Sequence, residues 1–317
     1  MITETNNFMI NAETGEIIEI PAGTKITTSE EQQFRKNFLR KKEKFDLEKY
    51  FKNKTLEKHG KFVWQIYKPS ETYNNSLKPA TITRLIYLAT YLDIDGSLID
   101  YEPLKNKKIY LTKKDIFDRM RLKETAFKNF FKELQDKNLI MEHENKWHLK
   151  KTTFNKGLIP DRDIAALSNK GYYITRLYQK AIRELYEKSK PTSHRTLSYL
   201  YQIIPFVNRE YNIVCFNPFE TDLQKIKRMK LSDYCEVVGI DKKYVTKVFK
   251  ALWDLSFTTN RGKECAVTYV SNKGVQKGNF FIYINPYVYY AGTKWDKVEI
   301  LGVFCENNKV GDNNGGK

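Results

Sequence analysis

The sequence predicts a mainly α-helical chain with small β-hairpins, an α+β protein in which one structural unit occurs twice. Three observations carry this: apolar residues at helical spacing over much of the chain, short alternating stretches bounded by turn residues, and self-similarity at a shift of 118 residues.

In chain order, FMINAETGEIIEI (8–20) reads as a hairpin turning at Glu13-Thr14-Gly15. Residues 29–51 become helical and heavily charged, with Phe34, Phe38 and Phe45 at spacings of four and seven. KFVWQIYK (61–68) alternates like a strand, and ATITRLIYLATYL (80–92) is an apolar helix ended by DIDG. Residues 111–140 come next, and MEHENKWHLKK then reads as a hairpin turning at Asn145-Lys146. ITRLYQKAIRELYEKS (174–189) has the spacing of one amphipathic helix, and SKPTS (189–193) marks an interdomain boundary or hinge. A second apolar helix, RTLSYLYQIIPFV, precedes MKLSDYCEVVGIDKKYVTKVFKALWDLSF. CAVTYV and FFIYINPYVYY form a last hairpin around SNKGVQKGN, and the ending ENNKVGDNNGGK has a disordered composition.

The shift of 118 lays Ile116 on Tyr234, Phe117 on Cys235, Met120 on Val238 and Leu122 on Ile240. It also pairs Phe127 with Val245, Phe130 with Val248, Phe131 with Phe249, Leu134 with Leu252 and Leu139 with Phe257. Every pair suits a core. Each copy therefore predicts a short helix, a tight turn with one apolar plug, and a longer half-buried helix whose outer face is polar and basic. With the preceding apolar helix and the hairpin after it, this is the order of a winged helix-turn-helix, whose second helix enters the major groove. Two winged-helix domains in tandem are expected, with the chain divided into 1–59 (hairpin and charged helix), 60–155 (first winged helix), 156–189 (linker helix), 190–297 (second winged helix) and 298–317 (tail).

The stretch LTKKDIFDRMRLKETAFKNFFKELQDKNLI (111–140) resembles the winged helix-turn-helix of MarR-like regulators. That pattern runs L-T-x-x-E-L-A, then G-L-S, then a recognition helix closing on K-G-L-I. Here Asp115 stands for the Glu, Arg121 for the turn glycine, and Asn138 for the glycine before Leu-Ile, whereas the second copy keeps its turn glycine as Gly239. The ending FFIYINPYVYYAGT, through Ile284, Asn285 and Pro286, is similar to replication proteins of Gram-positive plasmids and phages. The resemblance implies a DNA-binding protein governing replication or transcription.

Charge agrees with such a partner. Lys and Arg outnumber Asp and Glu by 55 to 38, a net of +17. The first 30 residues carry one Lys against five Glu, while residues 104–156 hold 15 Lys/Arg and 7 Asp/Glu, a net of +8. Such a surface attracts polyanions by phosphate neutralisation and counterion release; a lysine-rich but merely solvated surface is the alternative. The candidate DNA contacts are Lys123, Thr125, Lys128, Asn129 and Lys132 on the first recognition helix, with Lys146 on its wing. On the second they are Lys242, Lys243, Thr246, Lys247 and Lys250, with Lys273 and Lys277 at the acid-free wing tip. Lysines suit phosphates, and Asn129 is the residue type that bonds an adenine edge bidentately. Glu124 fits this face least. Two recognition helices suit double-stranded DNA as partner, read along one site or within a homodimer; host replication or transcription machinery is a further expected partner, which an initiator would recruit through the 29–51 helix.

No enzyme is expected. The four histidines (His59, His143, His148, His194) form no metal-ligand pattern, and GDNNGGK matches a phosphate-loop motif without the flanking strand or a Ser/Thr after it. Tyr283, Tyr287, Tyr289 and Tyr290 could stack bases, but a core strand explains them better. Cys215, Cys235, Cys265 and Cys305 are scattered without C-x-x-C, so neither metal nor other cofactor is expected. The N-terminus lacks a signal-peptide pattern and no apolar run reaches membrane-spanning length, so a cytoplasmic protein off the membrane is expected.

Overall fold

The computed structural model describes residues 7–10, 17–20, 33, 59–69, 77–102, 107–271, 280–299 and 304. Residues 1–55 and 56–317 form two units. In the first, β1 (Asn7–Ile10) and β2 (Ile17–Ile20) pair antiparallel, Asn7 opposite Ile20, as the alternating sequence predicts. The turn at Glu13-Gly15, and the 29–51 helix apart from Gln33, lie outside the described residues.

The second unit is a mixed α+β structure built on both sides of a four-stranded antiparallel sheet. Its members are β3 (Phe62–Tyr67), β8 (Phe154–Asn155), β9 (Tyr173–Tyr178) and β14 (Tyr289–Tyr290), in the order β14-β9-β3-β8. Trp64 lies opposite Arg176, and Arg176 opposite Tyr290. Because side chains alternate across a strand, the sheet divides two cores. Phe62, Trp64, Ile66, Ile174 and Tyr178 face a ring-rich cluster with Tyr290 and Trp295, whereas Val63 and Leu177 join the main helical core. Among the rings lies Arg176, 2 % exposed. Its guanidinium sits 5.3 Å from the Tyr290 ring centre and 5.8 Å from that of Trp64, and its Nε donates to the Tyr290 carbonyl at 3.1 Å. Burial lowers its pKa, and the neighbouring Tyr178 and Tyr290 oppose that shift.

The strand β9 corrects the helix expected over 174–189. Ile174, Leu177, Tyr178, Ala181 and Ile182 fit helical spacing, yet the first part pairs with β3 on one side and β14 on the other. Helix geometry starts only at Gln179, so the expected linker 156–189 comprises a helix, a central strand and a second helix. Aromatic and β-branched residues buried on both faces favour that strand.

The helices in chain order are α1 (Pro79–Ala89), α2 (Lys113–Met120), α3 (Glu124–Asp136), α4 (Asp161–Asn169), α5 (Gln179–Lys188), α6 (His194–Gln202), α7 (Leu231–Val237), α8 (Val245–Trp253) and α9 (Asp296–Glu299). α1 starts at Pro79, where proline's missing N–H costs nothing. Its open N-terminus is closed from outside: the Glu133 carboxylate accepts from the Lys78 N–H at 2.8 Å and the Thr81 hydroxyl at 2.7 Å. The rest is buried nearly all round, through Ile82, Leu85, Ile86 and Leu88. Each such side chain contributes roughly 1.5–3 kcal/mol.

The partners of α1 are α6 and α5. Thr83 Oγ1 donates to the His194 carbonyl at 2.7 Å, and the Tyr87 ring stacks on Tyr186 at 3.8 Å. Main-core residues come from both repeats, Leu85 and Phe130 from the first and Leu200 and Leu252 from the second. The boundary expected at 189–193 is a single 3₁₀ turn, Pro191–Ser193, leading directly into α6.

His194 sits at this seam, 1 % exposed and stacked on Tyr186 at 4.3 Å. Burial, with Arg84 adding to it, pushes its pKa down to about 4 from 6.5. Between these values the unfolded chain takes up a proton that the folded chain refuses. Stability therefore falls as pH drops through this window, by about 2 kcal/mol. Urea unfolding at pH 7 and pH 4.5 should show this loss in the parent chain and a smaller one in His194→Phe.

Candidate nucleic-acid interface

The first of the two repeated helix pairs begins at a capping box. Thr112 Oγ1 accepts from the Asp115 N–H at 3.1 Å, and the Asp115 carboxylate accepts from the Thr112 N–H at 2.8 Å. The Thr112 hydroxyl, donating to the Asp115 carboxylate at 2.6 Å, and the Thr112 N–H hold that carboxyl below its usual range, so Asp in place of Glu keeps the cap. α2 ends at Arg121, whose φ of 51° is left-handed. Leu122 then plugs the core, and α3 buries Phe127, Phe130, Phe131 and Leu134. At the far end Asn138 has φ 52°, and the Leu139 N–H reaches the Leu134 carbonyl at 2.8 Å. Both glycine substitutes in the MarR-like pattern therefore stand where the backbone is left-handed.

Lys123, Thr125, Lys128, Asn129 and Lys132 are exposed on or beside α3. Glu124 shares this face and pairs with Lys128 at 2.7 Å, one turn along, which lowers the carboxyl's pKa. Asn129 and Lys132 stand beside that pair.

The hairpin after α3 pairs β6 (Ile140–His143) with β7 (Lys146–Leu149). His143 lies opposite Lys146, and the turn is Glu144-Asn145, with φ of 50° and 58°. This corrects the expected Asn145-Lys146 turn by one residue: two left-handed positions are needed, and Asn145 fills the second of them. Lys146 consequently belongs to β7, its ammonium 4.4 Å from the Tyr110 ring centre. A strand-like link between α1 and α2 extends the hairpin, the Leu98 N–H donating to the Trp147 carbonyl at 2.7 Å. A short hairpin, β4 (Ile99–Tyr101) with β5 (Lys108–Tyr110), branches from that link.

The second copy repeats this order with different chemistry at the turn. In α7 the Asp233 carboxylate accepts from the Lys230 N–H at 2.9 Å. Gly239 takes φ 72° with open space around it, and Ile240 is the half-buried plug. Asp241 caps the next helical segment, accepting from the Lys243 N–H at 3.0 Å and pairing with the Lys243 ammonium at 2.9 Å. A 3₁₀ turn, Lys242–Tyr244, leads into α8. Lys242, Lys243, Thr246, Lys247 and Lys250 are exposed. The shift of 118 sets Glu124 on Lys242 and Asn129 on Lys247, so the second face is the more basic.

Beyond α8 the two copies diverge. A hairpin that the sequence does not predict comes first, β10 (Ser256–Thr259) with β11 (Gly262–Cys265). The expected hairpin comes after it, as β12 (Val267–Ser271) and β13 (Phe280–Ile284). β13 takes the sheet role of β7: the link between α6 and α7 joins it, the Val214 N–H donating to the Ile282 carbonyl at 2.9 Å. Lys273 and Lys277, between β12 and β13, lie outside the described residues.

The additional hairpin is clamped. Glu184 of α5 accepts from the Thr258 N–H at 2.9 Å and its hydroxyl at 2.7 Å. Near the tip Glu264 is fully buried and accepts from Arg261 Nε at 2.9 Å, Thr259 Oγ1 at 2.6 Å and Asn285 Nδ2 at 2.8 Å. Burial raises this carboxyl's pKa, but the hydrogen bonds outweigh it and the net shift is downward. The I-N-P motif thus supplies a buried bracket through Asn285. Tyr283, Tyr289 and Tyr290 are buried and Tyr287 half-buried, as a core strand requires.

Cys215, Cys235 and Cys265 are buried thiols, and burial pushes Cys235 up to about 11. No group of three His, Cys, Asp or Glu is placed to hold a metal ion among the described residues. No helix among them is long and apolar enough to cross a membrane.

Arg121 is the turn residue whose replacement should strengthen the unit. Glycine relieves the left-handed strain on a side-chain-bearing residue, for a gain of about 0.5–1 kcal/mol. Arg121→Gly should accordingly raise the thermal midpoint, and a fall would show that the Arg side chain contributes more than its backbone costs. Comparison of the chain with protein-family models, curated proteins and solved structures gave no match.

Proposed function

We propose that the chain is a sequence-specific double-stranded DNA-binding protein that works through two winged helix-turn-helix units and carries out no catalysis. The observation supporting this is the repetition of one arrangement. Each copy has an apolar first helix, a strand-like link, a capped short helix, a left-handed turn and a second helix with its outer face exposed. A helix so mounted matches the width of the major groove.

The two faces divide the work. Asn129 and Thr125 on α3 suit base edges, and Lys242, Lys247 and Lys250 around α8 suit phosphates. In this reading Glu124 restrains Lys128, holding it for a register in which the carboxylate meets a cytosine amine or no phosphate at all. The role proposed is control of replication initiation or of transcription in a phage or plasmid. Footprinting across the host genome separates these roles, since clustered repeats beside an origin mark an initiator and isolated promoter sites a regulator.

A band-shift titration across salt concentrations tests the DNA reading. Binding should weaken steeply with salt as condensed counterions are released. Lys247→Ala with Lys250→Ala should weaken binding by about tenfold or more at low salt and flatten the salt slope by about two, with the thermal midpoint nearly unchanged. Binding indifferent to ionic strength would overturn the proposal. Glu124→Gln frees Lys128 and removes a negative charge, so affinity for non-specific duplex should rise several-fold while discrimination between sites falls.

A further inference from the structure

A pocket of about 450 Å³ opens between the start of α5 and the clamped β10–β11 hairpin. It is separate from the outer faces of α3 and α8. Its walls bring together Lys61 before β3, Lys180 in the first turn of α5, Thr258 and Asn260 of the hairpin region, and the rings of Tyr178 and Tyr287. Among the described residues, no acidic side chain lines it.

Three properties point to a ligand. Lys61 and Lys180 are exposed and form no ion pair with any described residue, so both line the pocket without a counter-ion from these parts of the chain. The N-terminus of α5 has neither a side-chain cap nor an acidic residue in its first turn, and Lys180 and Ala181 of that turn line the pocket. The Gln179 N–H is taken by the Lys61 carbonyl at 3.0 Å, and the N–H groups that follow it, with the positive end of the helix dipole, favour an anion there. Tyr178, also in the wall, is 2 % exposed, and its hydroxyl has no hydrogen-bond partner among the described residues. A buried hydroxyl left unpaired is costly and calls for a polar partner.

We infer that this pocket binds a small phosphorylated ring compound of mononucleotide size. The phosphate takes the two lysines and the helix end. The ring lies against the half-buried Tyr287, and its polar edge meets Asn260. A ligand held this way bridges α5 to the hairpin after α8, the same seam that Glu184 closes.

The inference does not depend on DNA binding, and its test uses none. The full chain is titrated calorimetrically with AMP and UMP, with adenosine and ribose 5-phosphate as single-part probes. Saturable binding of a mononucleotide, tighter than either probe by about tenfold, is expected. Lys61→Ala with Lys180→Ala should weaken it at least about tenfold, whereas Lys247→Ala with Lys250→Ala should leave it unchanged. No saturable binding of either nucleotide, or equal loss in both double variants, overturns the proposal. Equal affinity for ribose 5-phosphate overturns the ring contact.

Discussion

The packing of α1 against α6 is the contact on which the rest of the second unit depends. These are the apolar first helices of the two repeats, and burying one against the other fuses two small cores into one. A unit of some 90 residues buries a modest fraction of its surface, so sharing a core offsets what each half lacks. The Thr83–His194 hydrogen bond ties α1 to α6, and the Tyr87–Tyr186 stack sets α5 against the same helix. Tyr186 then reaches the Met120 carbonyl at 3.0 Å, and Tyr234 the Tyr199 carbonyl at 2.8 Å. Each short second-position helix is thereby tied to the shared core through one buried tyrosine hydroxyl.

Much of this was legible in the sequence because helical periodicity and the repeat report the same core stripe. Ile116, Phe127, Phe130 and Leu134 are buried as their spacing requires, and so are Tyr234, Val248 and Leu252. The left-handed turn was legible at Gly239 and, by position, at Arg121 and Asn138. The strand β9 was hidden because its apolar residues continue the periodicity of α5 without a break. Only its partners 110 or so residues away make it a strand, and pairing over such distances leaves no local mark. The β10–β11 hairpin was missed for a related reason. SFTTNRGKEC reads as a polar loop, and its buried Glu264 is acceptable only because Arg261, Thr259 and Asn285 converge on it. The pocket beside α5 combines residues from four distant stretches and had no sequence signature.

The divergence after α8 separates two duties that a single hairpin performs in the first copy. There, β6–β7 both succeeds the exposed helix and completes the small sheet with the link between α1 and α2. In the second copy β13 completes the sheet, and β10–β11 is bracketed between Glu184 and Asn285. The bracket explains why an asparagine precedes Pro286: its amide donates to Glu264 and to the Cys265 carbonyl, while its oxygen accepts from the Tyr287 N–H.

The order of the central sheet also governs when the chain can fold during synthesis. Phe62 pairs with Tyr178, and Arg176 in turn waits for the carbonyl of Tyr290. The pair α2 and α3 can form from local contacts as it leaves the ribosome, but the central sheet stays open at one edge until the last strand emerges. Until then Phe62, Trp64 and a desolvating arginine share an uncovered surface. Nascent chains that stall before residue 290 would thus be sticky while already carrying a finished α2–α3 pair, because a long-range closure slows folding and exposes intermediates to aggregation.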